Sequence, residues 1–203
     1  MSGELIVHVI DDDHAIRRSL IMLAEASGYA AMAHASAEDF LRDLDADSAG
    51  CVITDLKMPG LSGMDLLRTV QSRDDDLPVV LITGHGEVAM AVAALKAGAA
   101  DFIEKPFDGD AFLAAVRDAL DVRQAALAHR REIAGLRLRV SRLTEREAEV
   151  MALIAEGRSN AETALRLEIS VRTVENHRAK VLEKMQARGL SDLVRMVLRL
   201  ASA

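Results

Sequence analysis

The sequence predicts an α/β domain with a parallel sheet over the first 120 residues, followed by an all-helical domain. In the first part, short apolar runs alternate with segments of helical periodicity. The apolar runs are nearly continuous, as in strands that are buried on both faces of a sheet. After about residue 121 only helical periodicity remains. Because parallel strands need crossover helices, the alternation indicates a sheet covered on both sides.

Five apolar runs in the first part predict strands, at residues 5–10, 29–35, 51–54, 78–83 and 100–103. The segments that follow them predict helices, at residues 14–27, 36–46, 61–73, 86–97 and 108–121. Ser36, with Asp39 three residues later, is a cap signal for the second helix.

Residues 121–141 predict a further helix that could continue the fifth one and is positive on its exposed side. Its apolar residues fall at mostly helical spacing, at Leu127, Ile133, Leu136, Val140 and Leu143. Two interpretations stay open. The segment is either a solvated spacer or a dimerising coiled coil, for which the repeat is short.

The last 60 residues or so predict four short helices. Capping boxes open two of them, at Thr144 with Glu147 and at Ser159 with Glu162. Gly157 ends the first helix, and Ser170 caps a longer one that runs to about Ala187. A last helix covers residues 191–200.

Composition excludes several classes of protein. Cys51 is the only cysteine and lies in an apolar run, which predicts a buried thiol and excludes an intrachain disulfide. No stretch approaches the ~18 apolar residues of a membrane span and the N-terminus is unlike a secretory signal, so we expect a soluble, cytoplasmic protein. The net charge of −7 divides into −12 over residues 1–120, +3 over 121–140 and +2 over 141–203, a weak indication of nucleic-acid binding in the second part.

Charged side chains coincide with the predicted carboxyl ends of three strands. Asp11 and Asp12 follow the first strand, Asp55 ends the third, and Lys105 follows the fifth. Ligands of open α/β sheets bind beyond these strand ends. Three carboxylates in one place would repel one another, and a hard cation such as Mg²⁺ would relieve this while keeping waters for a phosphate.

The arrangement predicts a phosphoryl acceptor. Asp55 would be the carboxylate nucleophile, Thr83 at the end of the fourth strand would hydrogen-bond the new phosphate, and Lys105 would pair with it. Each residue alone has an alternative interpretation without a role in phosphorylation. An Asp at a strand end is often a cap, and Lys105 could be an ordinary charged residue of a loop. The combination at successive strand ends is far more specific.

The motifs VIDDDH, TDLKMPGLSGMDLL, LITGHG and GAADFIEKPF follow the order of response-regulator receiver domains, which residues 5–120 resemble. The resemblance implies a flavodoxin-like fold with phosphorylation of Asp55 by a sensor histidine kinase. It also implies Mg²⁺ (or Mn²⁺) bound by Asp12, Asp55 and the backbone carbonyl of Lys57, with Asp11 in support.

By the same resemblance Thr83 and Phe102 are a switch pair, in which the hydroxyl turns toward the phosphate and the ring follows inward. Lys57 and His85 occupy positions that tune loss of the phosphate in this family. Their alternatives are a surface charge and an ordinary loop residue.

The helix after Ser170 has two distinct faces at 100° per residue. Val174, His177, Val181 and Met185 form the apolar face that must pack inward. The opposite face suits the DNA major groove, although an ordinary solvated face is the alternative. The candidate DNA contacts are Arg172, Thr173, Asn176, Arg178, Ala179 and Lys180.

Residues 143–185 resemble the LuxR-type DNA-binding domain almost end to end, which favours DNA over the solvated face. His177 is then an inward, hydrogen-bonded or phosphate-side histidine rather than a metal ligand. The family usually has Asn-Lys-Glu-Ile-Ala, where this chain has Ala161 and Thr163 in place of the Lys and the Ile. The missing charge at Ala161 should weaken phosphate affinity.

The two halves together resemble the FixJ-like branch of response regulators. That branch implies a homodimer through the fourth helix, fifth strand and fifth helix, with Val92 and Lys96 as plausible contributors. Two recognition helices would then bind half-sites of double-stranded DNA about one turn (~34 Å) apart.

The sequence therefore predicts a receiver domain at residues 1–121, a helical linker at 122–141 and a LuxR-type helix-turn-helix domain at 142–203. The leading hypothesis is a phosphorylation-controlled transcription regulator without membrane association. An aspartyl-phosphate phosphatase is the enzyme alternative, but Lys57 stands where its acid/base Asp would be needed. A helical domain that binds a protein instead of DNA is the third hypothesis.

Overall fold

The protein is described by a computed structural model over residues 5–44, 50–73, 76–84 and 88–202. The chain divides into two compact units, Met1–Ala126 and Leu127–Ala203. Within the described ranges no helix combines the length and the apolar character that a membrane crossing needs.

The first unit is built on a parallel sheet of five strands in its described part. The strands are β1 (Ile6–Ile10), β2 (Ala30–His34), β3 (Gly50–Asp55), β4 (Val79–Thr83) and β5 (Asp101–Glu104). Their spatial order is β2-β1-β3-β4-β5, with every neighbouring pair parallel. This is the flavodoxin-like order, in which a crevice opens where the order reverses between β1 and β3. The predicted α/β class is confirmed.

Helices alternate with these strands. They are α1 (His14–Ala26), α2 (Ala37–Asp43), α3 (Gly63–Ser72), α4 (Val88–Lys96) and α5 (Gly109–Val140). Ser36 caps α2 as predicted, through a hydrogen bond from the Asp39 amide. The third helix begins two residues later than predicted, because Ser62 and Asp65 form a capping box in front of it. The ends predicted at 45–46 and 86–87 lie outside the described residues.

Apolar side chains form a core on each face of the sheet. Val9 and Phe112 belong to one cluster, Phe40 and Leu66 to the other, and all four are at most 1 % exposed. Cys51 lies in the first cluster with no exposure, and burial raises the pKa of its thiol to about 12. The prediction of a buried structural thiol is confirmed.

The second face also holds a buried histidine pair. His8 Nδ1 and His34 Nε2 lie 3.2 Å apart, and both rings meet Phe40 edge-on with centroids 5.2 and 5.3 Å away. Asp43 lies 3.8 Å from the other ring nitrogen of His34. Burial, and then the charge of His34, lowers the pKa of His8 from 6.5 to about 4, so the pair is neutral at pH 7.

The fifth helix is one element of 32 residues, where the sequence predicted a helix to 121 and a helical segment after it. It contains no proline, and Gly135 lies in its interior without ending it. In the second unit its last part buries Ile133 and Leu136, which are 5 % and 4 % exposed.

The second unit continues with α6 (Glu145–Ala155), α7 (Asn160–Leu167), α8 (Val171–Met185) and α9 (Leu190–Ala201). The two predicted capping boxes are both formed, and the Ser170 side chain caps α8. Gly157 follows α6 with φ 80°. Helix α8 ends at Met185, two residues before the predicted end, because Gln186 adopts the left-handed conformation that terminates helices.

A small core holds these helices together. Val150 and Ile154 of α6, Val181 and Met185 of α8, and Leu193 of α9 are each at most 3 % exposed. The predicted all-helical second domain is confirmed.

Candidate functional site

The carboxyl end of the sheet brings the predicted pocket residues to one edge. Asp11 directly follows β1, Asp55 is the last residue of β3, Thr83 is the last of β4, and Lys105 directly follows β5. Because β1 and β3 are neighbours, Asp11 and Asp55 stand on either side of the crevice between them.

Lys105 bridges the two carboxylates. Its Nζ lies 3.0 Å from Asp55 Oδ1 and 3.6 Å from Asp11 Oδ2. Its backbone amide donates to the Thr83 carbonyl at 2.8 Å, which fixes the residue at the end of β4. Burial lowers the pKa of Lys105, but the hydrogen bond to Asp55 and the charges of both carboxylates outweigh it and raise the pKa. Lys105 is therefore a permanent cation against Asp55.

Asp11 is the most deeply buried acid of this pocket, with 1 % exposure. Its Oδ1 accepts the Asp13 amide at 2.8 Å, whereas its Oδ2 is buried and makes no hydrogen bond. Burial raises the pKa of Asp11 more than that amide and Lys105 lower it. The site thus contains a buried carboxylate oxygen that accepts no hydrogen bond and has only the more distant charge of Lys105, 3.6 Å away, against it.

The loop after Asp55 is held in place from two sides. The amide of Leu61 donates to Glu38 Oε1 at 2.9 Å, which ties the loop to α2. Gly63 begins α3 against the strand end, and a Cβ there would lie 2.4 Å from the Asp55 carbonyl oxygen. Only glycine fits that approach. Lys57 lies exposed on this loop.

The residues present fit a hard divalent cation. In the described part of the chain no three His, Cys, Asp or Glu side chains cluster closely enough to hold a metal by themselves. The structure brings Asp11 and Asp55 together, while Asp12 is exposed. Mg²⁺ is commonly bound by one or two carboxylates with waters and phosphate oxygens in its other positions, so Asp11 Oδ2, which accepts no hydrogen bond, suits it.

The two predicted switch residues lie on the same face of the sheet. Thr83 is 2 % exposed, and its hydroxyl donates to the Ile103 carbonyl at 3.4 Å. Phe102 is half-buried against the second core cluster, beside Leu81 in register. His85 lies outside the described residues.

Helix α8 exposes the face that the sequence assigned to DNA. Four of its candidate contacts are exposed, namely Arg172, Asn176, Ala179 and Lys180. Thr173 is half-buried, and its hydroxyl lies 2.7 Å from the Ser170 hydroxyl at the helix start. The inward residues Val174, Val181 and Met185 have no exposure.

Arg178 lies differently from the other candidates. It is half-buried at the side of α8, and its guanidinium donates to the Asn160 Oδ1 at the start of α7. Only part of its guanidinium fork is used by this bond, since a guanidinium carries five N–H donors. His177 is half-buried on the inward side, and its Nδ1 is buried without a hydrogen bond.

An ion pair between a buried carboxylate and a half-buried lysine fixes α8 against α6. Lys184 Nζ lies 2.5 Å from Glu147 Oε2, and the Glu147 side chain is 3 % exposed. The same carboxylate accepts the Thr144 amide at 2.8 Å in the capping box. Lys184 and then Thr144 lower the pKa of Glu147 from 4.5 to about 2. The sequence identified the cap, but it gave no signal for a partner 37 residues away.

Both units match known protein families. Residues 7–117 match the response regulator receiver domain, and residues 141–197 match the luxR family of bacterial regulatory proteins. The chain is 46 % identical to the transcriptional regulatory protein FixJ of Azorhizobium caulinodans over 200 residues, which covers 98 % of this chain and 94 % of that protein. It is 43 % identical to FixJ of Rhizobium meliloti, over 95 % of this chain and 94 % of that one.

Solved structures agree with these relatives. The response regulator StyR matches with a TM-score of 0.86 and 34 % identity, over 97 % of this chain and all of that one. Full-length FixJ from B. japonicum matches with a TM-score of 0.60 and 39 % identity over both complete chains. The chain therefore belongs to the FixJ-like two-component response regulators, DNA-binding transcription regulators that join a receiver domain to a LuxR-type helix-turn-helix domain.

Proposed function

We propose that Asp55 accepts a phosphoryl group from a sensor histidine kinase and that this modification controls DNA binding. The observation that carries the proposal is the Lys105 bridge, 3.0 Å from Asp55 and 3.6 Å from Asp11, at the carboxyl end of the sheet. Lys105 occupies Asp55 Oδ1, which leaves the second carboxylate oxygen to attack the phosphorus. The phosphorus–nitrogen bond to the kinase histidine breaks as the new phosphorus–oxygen bond forms.

Magnesium (or manganese) belongs to this site in our proposal. Asp11, Asp12, Asp55 and the backbone carbonyl of Lys57 would hold the ion, which supplies positive charge to the phosphoryl oxygens when bound. Lys105 pairs with a phosphoryl oxygen after transfer as a point charge. The exposed Lys57, two residues past Asp55, tunes the slow loss of phosphate from this aspartate.

The signal passes through Thr83 and Phe102. The Thr83 hydroxyl exchanges the Ile103 carbonyl for a phosphate oxygen, and the half-buried Phe102 ring follows inward. This change favours a homodimer through α4, β5 and α5. Exposed apolar side chains on α4 support the choice of face, since Met90, Val92 and Leu95 are 43 %, 46 % and 43 % exposed. Lys96 is also exposed there.

DNA recognition is assigned to the exposed face of α8. Arg172 and Lys180 suit guanine or phosphate, and Asn176 suits adenine. Thr173 and Ala179 complete the face. Arg178 reaches the DNA phosphate backbone with the N–H groups that do not donate to Asn160. In a dimer two such helices would lie in half-sites about one turn (~34 Å) apart. We assign residues 1–121 to the receiver, 122–141 to the linker and 142–203 to the DNA-binding domain.

Phosphorylation with acetyl phosphate and Mg²⁺ tests the proposal. The wild type should gain a slower band on a phosphate-affinity gel, form dimers in sedimentation velocity and select DNA fragments more tightly at moderate salt. The Asp55→Asn variant should do none of these and should keep the same circular dichroism spectrum. Labelling of this variant to the wild-type extent would exclude Asp55 as the acceptor.

A further inference from the structure

The helical unit contains a cleft whose lining includes none of the residues assigned to DNA. The cleft has a volume of about 430 Å³ and lies between the last part of α5 and α9. Six charged side chains line it, namely Arg131, Arg139, Arg195, Arg199, Glu132 and Asp192. Four guanidinium groups face two carboxylates, so the lining carries an excess of two positive charges.

The carboxylates are engaged by part of this set. Arg199 contacts Glu132, and Arg195 lies 3.4 Å from Asp192 Oδ1. Arg139 donates to the Met185 carbonyl at 3.2 Å, where α8 ends. Arg131 makes no hydrogen bond or ion pair with the described residues, so none of them compensates its charge. The positive excess therefore has a definite location, on the α5 side of the cleft.

Two apolar side chains and one glycine complete the lining of the cleft. Leu136 is 4 % exposed and Met196 is half-buried. Gly135 also lines the cleft, and a Cβ at this glycine would meet no atom within 4 Å. A concave site of a few hundred Å³ has the size of a small-molecule site, and a lining in which six of nine residues are charged suits a charged ligand.

We propose that this cleft binds a small molecule that carries phosphate groups and is about the size of a nucleotide. Guanidinium forks match the geometry of phosphate oxygens, and arginines that share one concave surface focus a positive potential on whatever enters. Leu136 and Met196 suit a sugar or a base, while the arginines suit a di- or triphosphate.

The cleft is separate from the DNA-facing residues. Arg139 meets α8 at Met185, its last residue, whereas the candidate DNA contacts end at Lys180 and begin at Arg172. At a rise of 1.5 Å per residue, Lys180 and Arg172 lie about 7 and 20 Å from Met185 along the axis of α8, toward its N-terminus. The cleft also lies in the unit that does not contain Asp55, so the proposal stands whether or not Asp55 is phosphorylated.

Isothermal titration of the full-length chain without Mg²⁺ tests the proposal, with pyrophosphate, ADP and adenosine as probes. Two variants of the same size differ in charge alone, Gly135→Gln and Gly135→Glu. The wild type and Gly135→Gln should bind pyrophosphate and ADP saturably at millimolar concentration, and adenosine should bind far more weakly. Gly135→Glu should lose both phosphate ligands, because it places a carboxylate in the cleft.

Arg131→Ala supplies an independent readout. Loss of one guanidinium–phosphate contact should weaken pyrophosphate binding by about tenfold without changing the unfolding midpoint of the free protein. Equal binding by Gly135→Glu and Gly135→Gln would overturn the proposal, as would the absence of saturable heat with the wild type. If these variants lose only DNA affinity, with no binding of free phosphate ligands, the arginines contact the DNA backbone and the small-molecule proposal is wrong.

Discussion

Asp11 is a buried carboxyl group whose charged form lowers the stability of the fold. Its carboxylate is 1 % exposed, one of its oxygens makes no hydrogen bond, and its pKa is raised chiefly by burial. At neutral pH the charged form is therefore disfavoured in the folded state. A bound cation would offset this cost.

Replacement of Asp11 by Asn should separate these two effects. Without divalent ions the receiver unit should unfold a few degrees higher than the wild type, because the buried charge is removed while the shape is kept. Mg²⁺ should raise the midpoint of the variant less than that of the wild type. Calorimetry with and without Mg²⁺ gives both values, and an unchanged response to Mg²⁺ would contradict a role for Asp11 in metal binding.

Replacement of Ala161 should change DNA affinity. Ala161 is exposed in the first turn of α7, where the family usually has a lysine. Ala161→Lys should add one phosphate contact, raise DNA affinity and steepen the logarithmic salt dependence by about 0.9. Ala161→Gln is the matched neutral control. An equal salt slope for the two variants in fluorescence anisotropy would place this residue away from the DNA backbone.

Some residue contacts follow from the sequence and others do not. Lys105 and Asp55 could be paired in advance, because parallel topology brings strand ends to one edge. The Arg178–Asn160 and Lys184–Glu147 contacts could not, because they depend on how α7 and α6 cross α8. Polar residues on a helix give no signal for the identity of a partner in another helix.

The sequence predicts the start of a helix well where a capping side chain sets that start. Capping side chains place the starts of α2, α6, α7 and α8 at the predicted positions. The end of α8 differs because Gln186, a residue with no special sequence signal, takes φ 55°. Helix α5 is continuous from Gly109 to Val140. The sequence predicted the same residues as a helix of the first domain followed by a helical linker.

Gly135 gives a test of that continuous helix. It lies in a helix interior, and an added Cβ would meet no atom within 4 Å. Gly135→Ala should therefore stabilise the helical unit by about 0.5 to 1 kcal/mol, because glycine loses more backbone entropy in a helix. Urea unfolding of the two proteins, monitored in the helical unit, measures this difference in the free energy of unfolding. A loss of stability would indicate that this turn of α5 is not helical in solution.

At the scale of the molecule, the two units should respond to acid in different pH windows. The pKa of His8 falls from 6.5 to about 4 on folding, so the effect of His8 on the stability of the receiver unit is constant above pH 6.5, and the unit loses stability through His8 as the pH falls from 6.5 to 4. The pKa of Glu147 falls from 4.5 to about 2, so the helical unit loses its contribution between those values. The receiver unit should therefore weaken first.

The free energy of unfolding that the receiver unit loses through His8 between pH 6.5 and 4 should be roughly 2 to 3 kcal/mol. Unfolding monitored separately for each unit, at a series of pH values across both windows, measures the order of loss. The ring protons of His8 provide the direct readout by NMR. Titration of His8 near 6.5 in the folded protein, or simultaneous loss of both units, would contradict the buried neutral pair.

The sequence by itself determined the fold class, the order of the elements and the edge of the sheet where Asp11, Asp55, Thr83 and Lys105 gather. Periodicity, caps and parallel topology are local or general rules that a single chain expresses directly. Only the tertiary structure decided the buried histidine pair, the Glu147–Lys184 bridge and the arginine cleft beside Gly135. These depend on which side chains of distant elements meet, and that is set by packing rather than by any pattern along the chain.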